Sequence, residues 1–167
     1  IYGLIGKNGA GKTTIFKLIL GLSEFNAGEL TIMGGSSKKD IAAGRRHIGF
    51  FIGSNFFPKM NATQNLTYYC QLKGIKNAKE EIARVLKIVG LDGVKKKVGR
   101  FSMGMKQRLG IANAILGNPE ILILDDSASA LDFATDANLR MAIRRLPYRP
   151  TVFIVSQRAS SVRYADK

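Results

Sequence analysis

A glycine-rich stretch near the start of the chain constrains the fold more than any other feature. Residues 6–13 read GKNGAGKT, directly after the apolar residues 1–5 and directly before apolar residues at helical spacing. This is the pattern of a phosphate-binding loop between a strand and a helix, whose glycines let backbone N–H groups converge on phosphate oxygens. It predicts an α/β domain that binds a nucleotide.

The side chains of this loop have separate predicted roles. Lys12 is expected to reach the terminal phosphates, and the Thr13 hydroxyl to take a place in the shell of a Mg²⁺ ion. The strand before the loop and the helix after it argue against a glycine loop with no nucleotide role. The candidate nucleotide-binding residues here are Asn8, Gly9, Ala10, Gly11, Lys12, Thr13 and Thr14.

An acidic residue at the end of an aliphatic run supplies a second half of the site. Residues 121–125 read ILILD, and four continuous aliphatic residues are typical of a strand covered on both faces. At the tip of a neighbouring parallel strand, Asp125 can hold Mg²⁺ through water. A solvated aspartate would look the same in isolation. Together with the loop, an aspartate at the end of this strand indicates a metal site made by Thr13 and Asp125.

The order of predicted elements indicates how the domain is organised. Strands are predicted over residues 1–5, 29–33, 47–53, 121–124 and 151–155, and helices after the loop and over residues 65–73, 78–89, 105–116 and 135–146. Strands at both ends with helices between them predict a P-loop NTPase core, of the α/β class with a mainly parallel sheet, and an inserted helical subdomain. The core would comprise residues 1–53 and 118–167, and the helical subdomain residues 54–117.

Charge and hydropathy limit the functional classes. The chain has 26 Lys+Arg against 12 Asp+Glu, a formal net charge of +14, which favours a polyanion nearby: nucleotide, nucleic acid or an anionic membrane surface. The basic clusters are scattered and lack the interleaved aromatics of a base-stacking surface, so each is also typical of a solvated face. No apolar run reaches the roughly 20 residues of a membrane-spanning helix, so we expect a cytosolic chain.

Two further motifs, in order with the loop, carry a family resemblance. FSMGM at residues 101–105 precedes a predicted helix, and SALD at residues 129–132 follows the acidic strand. In this arrangement the chain resembles the nucleotide-binding domain of ABC transporters over nearly all of residues 1–167. FSMGM stands where that family has its LSGGQ signature, without the first glycine and the glutamine, and SALD matches its D-loop.

The resemblance implies cofactors, partners and a location. The cofactors would be ATP and Mg²⁺. The partners would be a second nucleotide-binding domain and a membrane-spanning permease, with no direct contact to nucleic acid, at the cytoplasmic face of the membrane. Ser102, Gly104 and Met105 would face the γ-phosphate held by the phosphate loop of the second domain. A serine and a glycine ahead of a helix are also the pattern of an ordinary helix cap.

Three positions that promote hydrolysis in that family are altered. The catalytic glutamate, the magnesium-binding glutamine and the phosphate-contacting histidine of the family correspond to Asp126, Gly53 and Gln157. The Asp126 carboxylate is one methylene short, and a displacement of about 1 Å can cost on the order of 10²-fold in rate. Gln157 can donate a hydrogen bond but cannot carry charge. We therefore expect an ATP hydrolase with slow or partner-dependent turnover, with Asp126 and Gln157 as candidate catalytic residues.

Subfamily features point in two directions. Residues 48–69 and 101–125 look like bacitracin and lantibiotic exporters, whereas residues 124–132 and 151–167 look like multidrug and lipid exporters. An exporter is expected in either case, and a recombined or engineered chain is one reading of the mixture. The loop begins at residue 6, so we also expect the central part of a truncated domain, without its own adenine-stacking residue.

Two other functional classes stay open. The charge would serve a soluble ABC-type ATPase acting on nucleic acid, although the insert lacks the sustained heptads of the DNA-repair members. The second class is a non-hydrolysing regulatory module that responds to bound ATP.

For a transporter, we expect residues 56–69 to dock against the permease through exposed Phe56 and Phe57. Packing of these two side chains in the core is an equal alternative.

Overall fold

The fold is built on one parallel sheet with helices on both of its faces. The computed structural model describes residues 1–7, 9–53, 56–125 and 133–156. The strands are β1 (Tyr2–Ile5), β2 (Ile48–Ile52), β3 (Ile121–Asp125) and β4 (Thr151–Ser156). The helices are α1 (Lys12–Leu20), α2 (Lys38–Arg45), α3 (Ala62–Leu72), α4 (Ala78–Ile88), α5 (Met103–Ala114) and α6 (Phe133–Arg144), with a 3₁₀ turn (Val98–Arg100) before α5.

The parallel strands bring the predicted site to the carboxyl edge of the sheet, where the strands end. The order is β1-β4-β3-β2, and every pair is parallel. This confirms the predicted α/β class with a parallel sheet. The register places Ile52, Asp125 and Val155 side by side where their strands end. β4 lies between β1 and β3, so the acidic strand is not the immediate neighbour of the strand before the loop.

Alternate side chains of β3 enter two separate clusters of buried residues. Leu122 and Leu124 pack on one face of the sheet with α3, α4 and α5, and Ile123 packs on the other with Phe16 of α1. Both faces are covered, which explains why β3 is aliphatic throughout. Burial of each such side chain stabilises the fold by roughly 1.5–3 kcal/mol.

Two glycines set the distance between α5 and β2. A Cβ atom at Gly110 would overlap the ring of Phe51, and one at Gly49 would overlap the carbonyl oxygen of Ala114. The backbones therefore approach more closely than any larger residue allows. This contact joins the predicted helical insert to the sheet.

The strand predicted over residues 29–33 is wrong. Ile32 and Gly35 form only an isolated antiparallel bridge, with hydrogen bonds of 2.9 and 3.0 Å between their backbones. The two residues between them have positive φ, 52° at Met33 and 83° at Gly34. The segment therefore closes into a tight turn before a strand can extend.

The helix α2 was not predicted, although its cap is visible in the sequence. The Ser37 side chain accepts a hydrogen bond from the Asp40 backbone at 3.1 Å. The helix predicted over residues 65–73 begins earlier, because Asn61 and Gln64 form a capping box. Of the helices in the described ranges, none is long and apolar enough to cross a membrane.

Candidate functional site

The loop between β1 and α1 presents its backbone to open space. Gly9 and Gly11 have φ of 80° and 83°, the left-handed region that favours glycine. A Cβ atom at either would meet nothing within 4 Å. Gly11 is the N-cap of α1 and makes no side-chain cap, so the first N–H groups of the helix stay available to an anion. Next to them, the Ala10 N–H donates to the Lys7 carbonyl at 3.2 Å.

Lys12 folds back along this loop. Its Nζ donates to the carbonyl oxygen of Gly6 at 2.6 Å and to that of Lys7 at 2.8 Å. Both acceptors are neutral carbonyl oxygens, whereas a phosphate oxygen carries a charge opposite to that of the ammonium, so phosphate oxygens can replace them. Sequence reasoning missed these two carbonyls, because a backbone acceptor has no residue-type signal.

Thr13 and Asp125 are in direct contact although 112 residues separate them. The Thr13 hydroxyl donates to Asp125 Oδ2 at 2.6 Å in a half-buried position. The contact links the first turn of α1 to the tip of β3, across the width of β4. A hydroxyl and a carboxylate are the oxygen ligands that Mg²⁺ prefers, and an octahedral shell with few protein ligands is completed by water and phosphate. The residues present therefore fit a Mg-nucleotide.

Gly53 follows β2 at the same edge of the sheet. Its neighbour Ile52 is in register with Asp125, and Gly53 itself has a φ of 73°. Only glycine adopts this conformation without strain, so a glutamine here would be disfavoured by the backbone. The position contributes no side chain to the site.

The signature segment, residues 101–105, lies at the start of α5, away from the loop between β1 and α1. Ser102 is the N-cap of α5, and its Oγ accepts from the Met105 N–H at 3.2 Å. The helix-cap alternative is thus present in the structure. Gly104 and Met105 occupy the first turn of α5 and are half-buried. α5 covers the face of the sheet opposite to α1, so within one chain the signature and the phosphate loop do not share a face.

The predicted site residues are only partly brought together. Lys12, Thr13 and Asp125 meet at the carboxyl edge of the sheet, and Thr14 is exposed beside them. Asn8, the catalytic candidates Asp126 and Gln157, and the D-loop at 129–132 lie outside the described residues. Their roles stay predictions.

Comparisons with known proteins agree with this geometry. A family model described as "ABC transporter" matches residues 1–129. The bacitracin transport ATP-binding protein BcrA of Bacillus licheniformis is 41% identical over 97% of this chain and 54% of its own length. BcrA of Enterococcus faecalis is 37% identical over the same shares of the two chains. The chain thus spans about half the length of these curated relatives.

A solved structure shares the fold, and the alignment with one relative tests the expectation that the chain is recombined. The dimeric structure of the bacterial ABC transporter cassette MJ0796 is 25% identical, with a TM-score of 0.84 over 98% of this chain and 77% of that one. One relative, the B. licheniformis protein, aligns with 97% of this chain, including most of the last third. The expectation of a recombined chain is therefore not borne out.

Proposed function

The chain belongs to the ABC transporter family, and on that basis we propose that it is an ATP-binding domain that binds Mg-ATP and hydrolyses it to drive transport. The observation that carries the proposal is the 2.6 Å hydrogen bond between Thr13 and Asp125, beside the ammonium of Lys12. The phosphate loop and the acidic strand are thereby assembled at one edge of the sheet, with ligands that suit both a triphosphate and a divalent ion.

Each residue of the loop has a proposed task. The N–H groups near Gly9 and Gly11 bind phosphate oxygens, with Asn8, Ala10 and Thr14 completing the loop. Lys12 exchanges its two carbonyl acceptors for phosphate oxygens. Thr13 and Asp125 hold Mg²⁺, which when bound neutralises charge on the phosphates.

We also propose that hydrolysis is weakened. Asp126 is the residue that orients or deprotonates the attacking water, and its short side chain reduces its reach. Gln157 offers phosphate a neutral donor in place of a charged one. The positive φ of Gly53 supports the proposal, because this backbone disfavours the glutamine that would otherwise assist at the metal.

The proposed partners are a second nucleotide-binding domain and a permease at the cytoplasmic face of a membrane. Ser102, Gly104 and Met105 would complete the phosphate site of the second domain. α5, which begins with these residues, covers the face of the sheet opposite to α1, and this supports the pairing with a second domain. The MJ0796 cassette forms a dimer in its solved structure, and two relatives are named for bacitracin transport, which supports an exporter.

Calorimetry with the full chain tests nucleotide binding. ATP is titrated with and without Mg²⁺ into the wild type, Lys12→Ala and Lys17→Ala. Lys17 lies on the same helix, so its removal is a control of equal charge. We expect Lys12→Ala to lower the affinity at least about tenfold, because hydrogen bonds to charged groups are lost. Equal affinities of Lys12→Ala and the wild type would overturn the proposal.

A turnover assay tests the weakened hydrolysis separately. Asp126→Glu restores the missing methylene, and we expect it to raise the rate of ATP hydrolysis by roughly 10- to 100-fold. Asp126→Asn removes the charge and lowers the rate below that of the wild type. If Asp126→Glu is no faster than the wild type, the short side chain is not the cause of slow turnover.

A further inference from the structure

The connection between α5 and β3 joins the signature segment to the acidic strand. Ser102 caps the start of α5, β3 ends at Asp125, and residues 115–120 link the two elements. β3 is hydrogen-bonded between β2 and β4, so its place in the sheet is fixed. The way in which residues 115–120 are held therefore influences where Ser102 lies relative to Asp125.

Cations from two other helices hold the carboxyl end of α5. The last carbonyl groups of a helix lack partners within the helix and carry partial negative charge. α5 has no basic residue in its own last turn. Lys73, the C-cap residue of α3, donates from Nζ to the Asn113 carbonyl oxygen at 2.9 Å. Arg84 of α4 donates to the Ile115 carbonyl oxygen at 3.1 Å. The two helices thus supply the positive charge that this end of α5 lacks.

Glu81 of α4 holds the next part of the connection. Its Oε1 accepts from the Gly117 N–H at 2.7 Å. The same carboxylate pairs with Arg84 through hydrogen bonds of 2.6 and 2.8 Å. The Glu81 side chain is only 13% exposed, so water screens this pair less than it screens a surface ion pair. Three backbone groups between residues 113 and 117 are therefore tied to charged side chains of α3 and α4.

Lys73 is the member of this cluster that changes charge near pH 8. Desolvation lowers the pKa of Lys73 to about 8, although the neighbouring Cys70 and Glu81 act to raise it. Burial raises the pKa of the Cys70 thiol above its usual range. Despite its burial, the pKa of Glu81 is held below its ordinary value by the hydrogen bonds described above. Arg45 and Arg46 at the end of α2 line the same cavity as Lys73, and arginine stays charged.

From these contacts we infer that Lys73 is a positioning residue for the proposed ATP-dependent pairing of two domains. Gly110 seats the middle of α5 against Phe51, so release of the carboxyl end lets the helix tilt about that point. Ser102 lies eight residues before Gly110. That is about 12 Å along the helix axis, so a tilt of about 5° moves Ser102 by roughly 1 Å. A displacement of this size misaligns the groups of a phosphate site. The inference rests on the proposed pairing and gives a role in it to a residue outside the phosphate loop, the signature and the acidic strand.

Light scattering of the full chain with ATP and Mg²⁺ tests this inference. Lys73→Met keeps the apolar stem and removes the ammonium, and it should weaken ATP-dependent dimerisation about tenfold, because a hydrogen bond from a charged group is lost. The ATP affinity of the monomeric chain should stay nearly unchanged, since Lys73 donates to α5 and not to the phosphate loop. Lys73→Arg keeps a charged donor and should dimerise like the wild type. Dimerisation of the wild type should weaken as the pH rises through about 8, whereas that of Lys73→Arg should not.

A matched control removes a neighbouring charge. Lys76→Met changes an exposed lysine on the same side of α4 in the sequence and should dimerise like the wild type. A cooperative urea transition shows that each variant is folded. Equal dimerisation of Lys73→Met and the wild type, equal losses in Lys73→Met and Lys76→Met, or loss of ATP binding by monomeric Lys73→Met would overturn the inference. A wild type that binds ATP without dimerising would instead overturn the proposed pairing, and the role of Lys73 with it.

Discussion

Gly110 of α5 lies directly against the aromatic ring of Phe51 in β2, with no room for a Cβ atom between them. The helix that begins with the signature serine is thereby seated on the strand that ends beside Asp125. A contact of this kind ties the orientation of the signature segment to the sheet.

Gly110→Ala should destabilise the fold by about 1–3 kcal/mol, because the added methyl group overpacks the contact with Phe51. Alanine is the better helix former by about 1 kcal/mol, so a loss of stability would have to come from the clash. Urea unfolding measures the change. Phe51→Leu replaces the ring with a smaller side chain and so makes room for the methyl group. The double variant should therefore lose less stability than the sum of the two single changes. Simple additivity would show that the contact is not the cause.

Thr13→Val should weaken ATP binding about tenfold when Mg²⁺ is present and leave binding without Mg²⁺ nearly unchanged. The reason is that valine keeps the shape of threonine but removes the hydroxyl that contacts Asp125 and is proposed to bind the metal. Calorimetry with and without Mg²⁺ separates the two cases. Thr13→Ser keeps the hydroxyl and should retain the Mg²⁺ dependence. A similar loss in both conditions for Thr13→Val would place the hydroxyl on phosphate alone.

Ser102 has a structural role and a proposed functional role, and two substitutions separate them. Ser102→Ala removes the cap on the Met105 N–H and should cost about 1 kcal/mol of stability. Ser102→Asn retains a capping side chain, so its stability should match the wild type, while ATP-dependent dimerisation measured by light scattering should be lost. Dimerisation of Ser102→Asn at the wild-type level would leave Ser102 as a helix cap only.

Glu81 should make stability depend on acid pH. Burial raises the pKa of Glu81, but hydrogen bonds from Arg84 and from the Gly117 N–H, with nearby positive charge, outweigh it and hold the pKa below its ordinary value of 4.5. The folded state therefore binds fewer protons than the unfolded state. The stabilisation is present above about pH 4.5 and is lost as the pH falls through the lower folded value.

The matched pair Glu81→Gln and Glu80→Gln tests this dependence by urea unfolding at neutral and acid pH. Glu81→Gln should lose about 1.5–3 kcal/mol at neutral pH, since it weakens hydrogen bonds of 2.6 and 2.8 Å to Arg84. It should also show a smaller decline in acid than the wild type. Glu80, one residue earlier and exposed, should behave as the wild type when changed. Parallel declines for all three chains would contradict the assignment.

Local signals predicted the parts of the site that depend on a few consecutive residues. The loop, the helix after it and the strand ending at Asp125 were all predicted from spacing and residue type. The predicted strand over 29–33 failed because the positive φ of Met33 and Gly34 closes a turn, and α2 was missed although Ser37 marks its start. In both places the apolar pattern was too short to decide between the alternatives.

The chain's own sequence determined that a glycine loop forms between β1 and α1, since glycines at positions 9 and 11 permit its backbone, and that β3 is buried on both faces. Only the tertiary structure decided that Thr13 touches Asp125 across β4, and that α1 and α5 cover opposite faces. The physical reason is that backbone preference and periodicity act over a few residues. Strand order and the face that each helix covers depend on how distant side chains pack together.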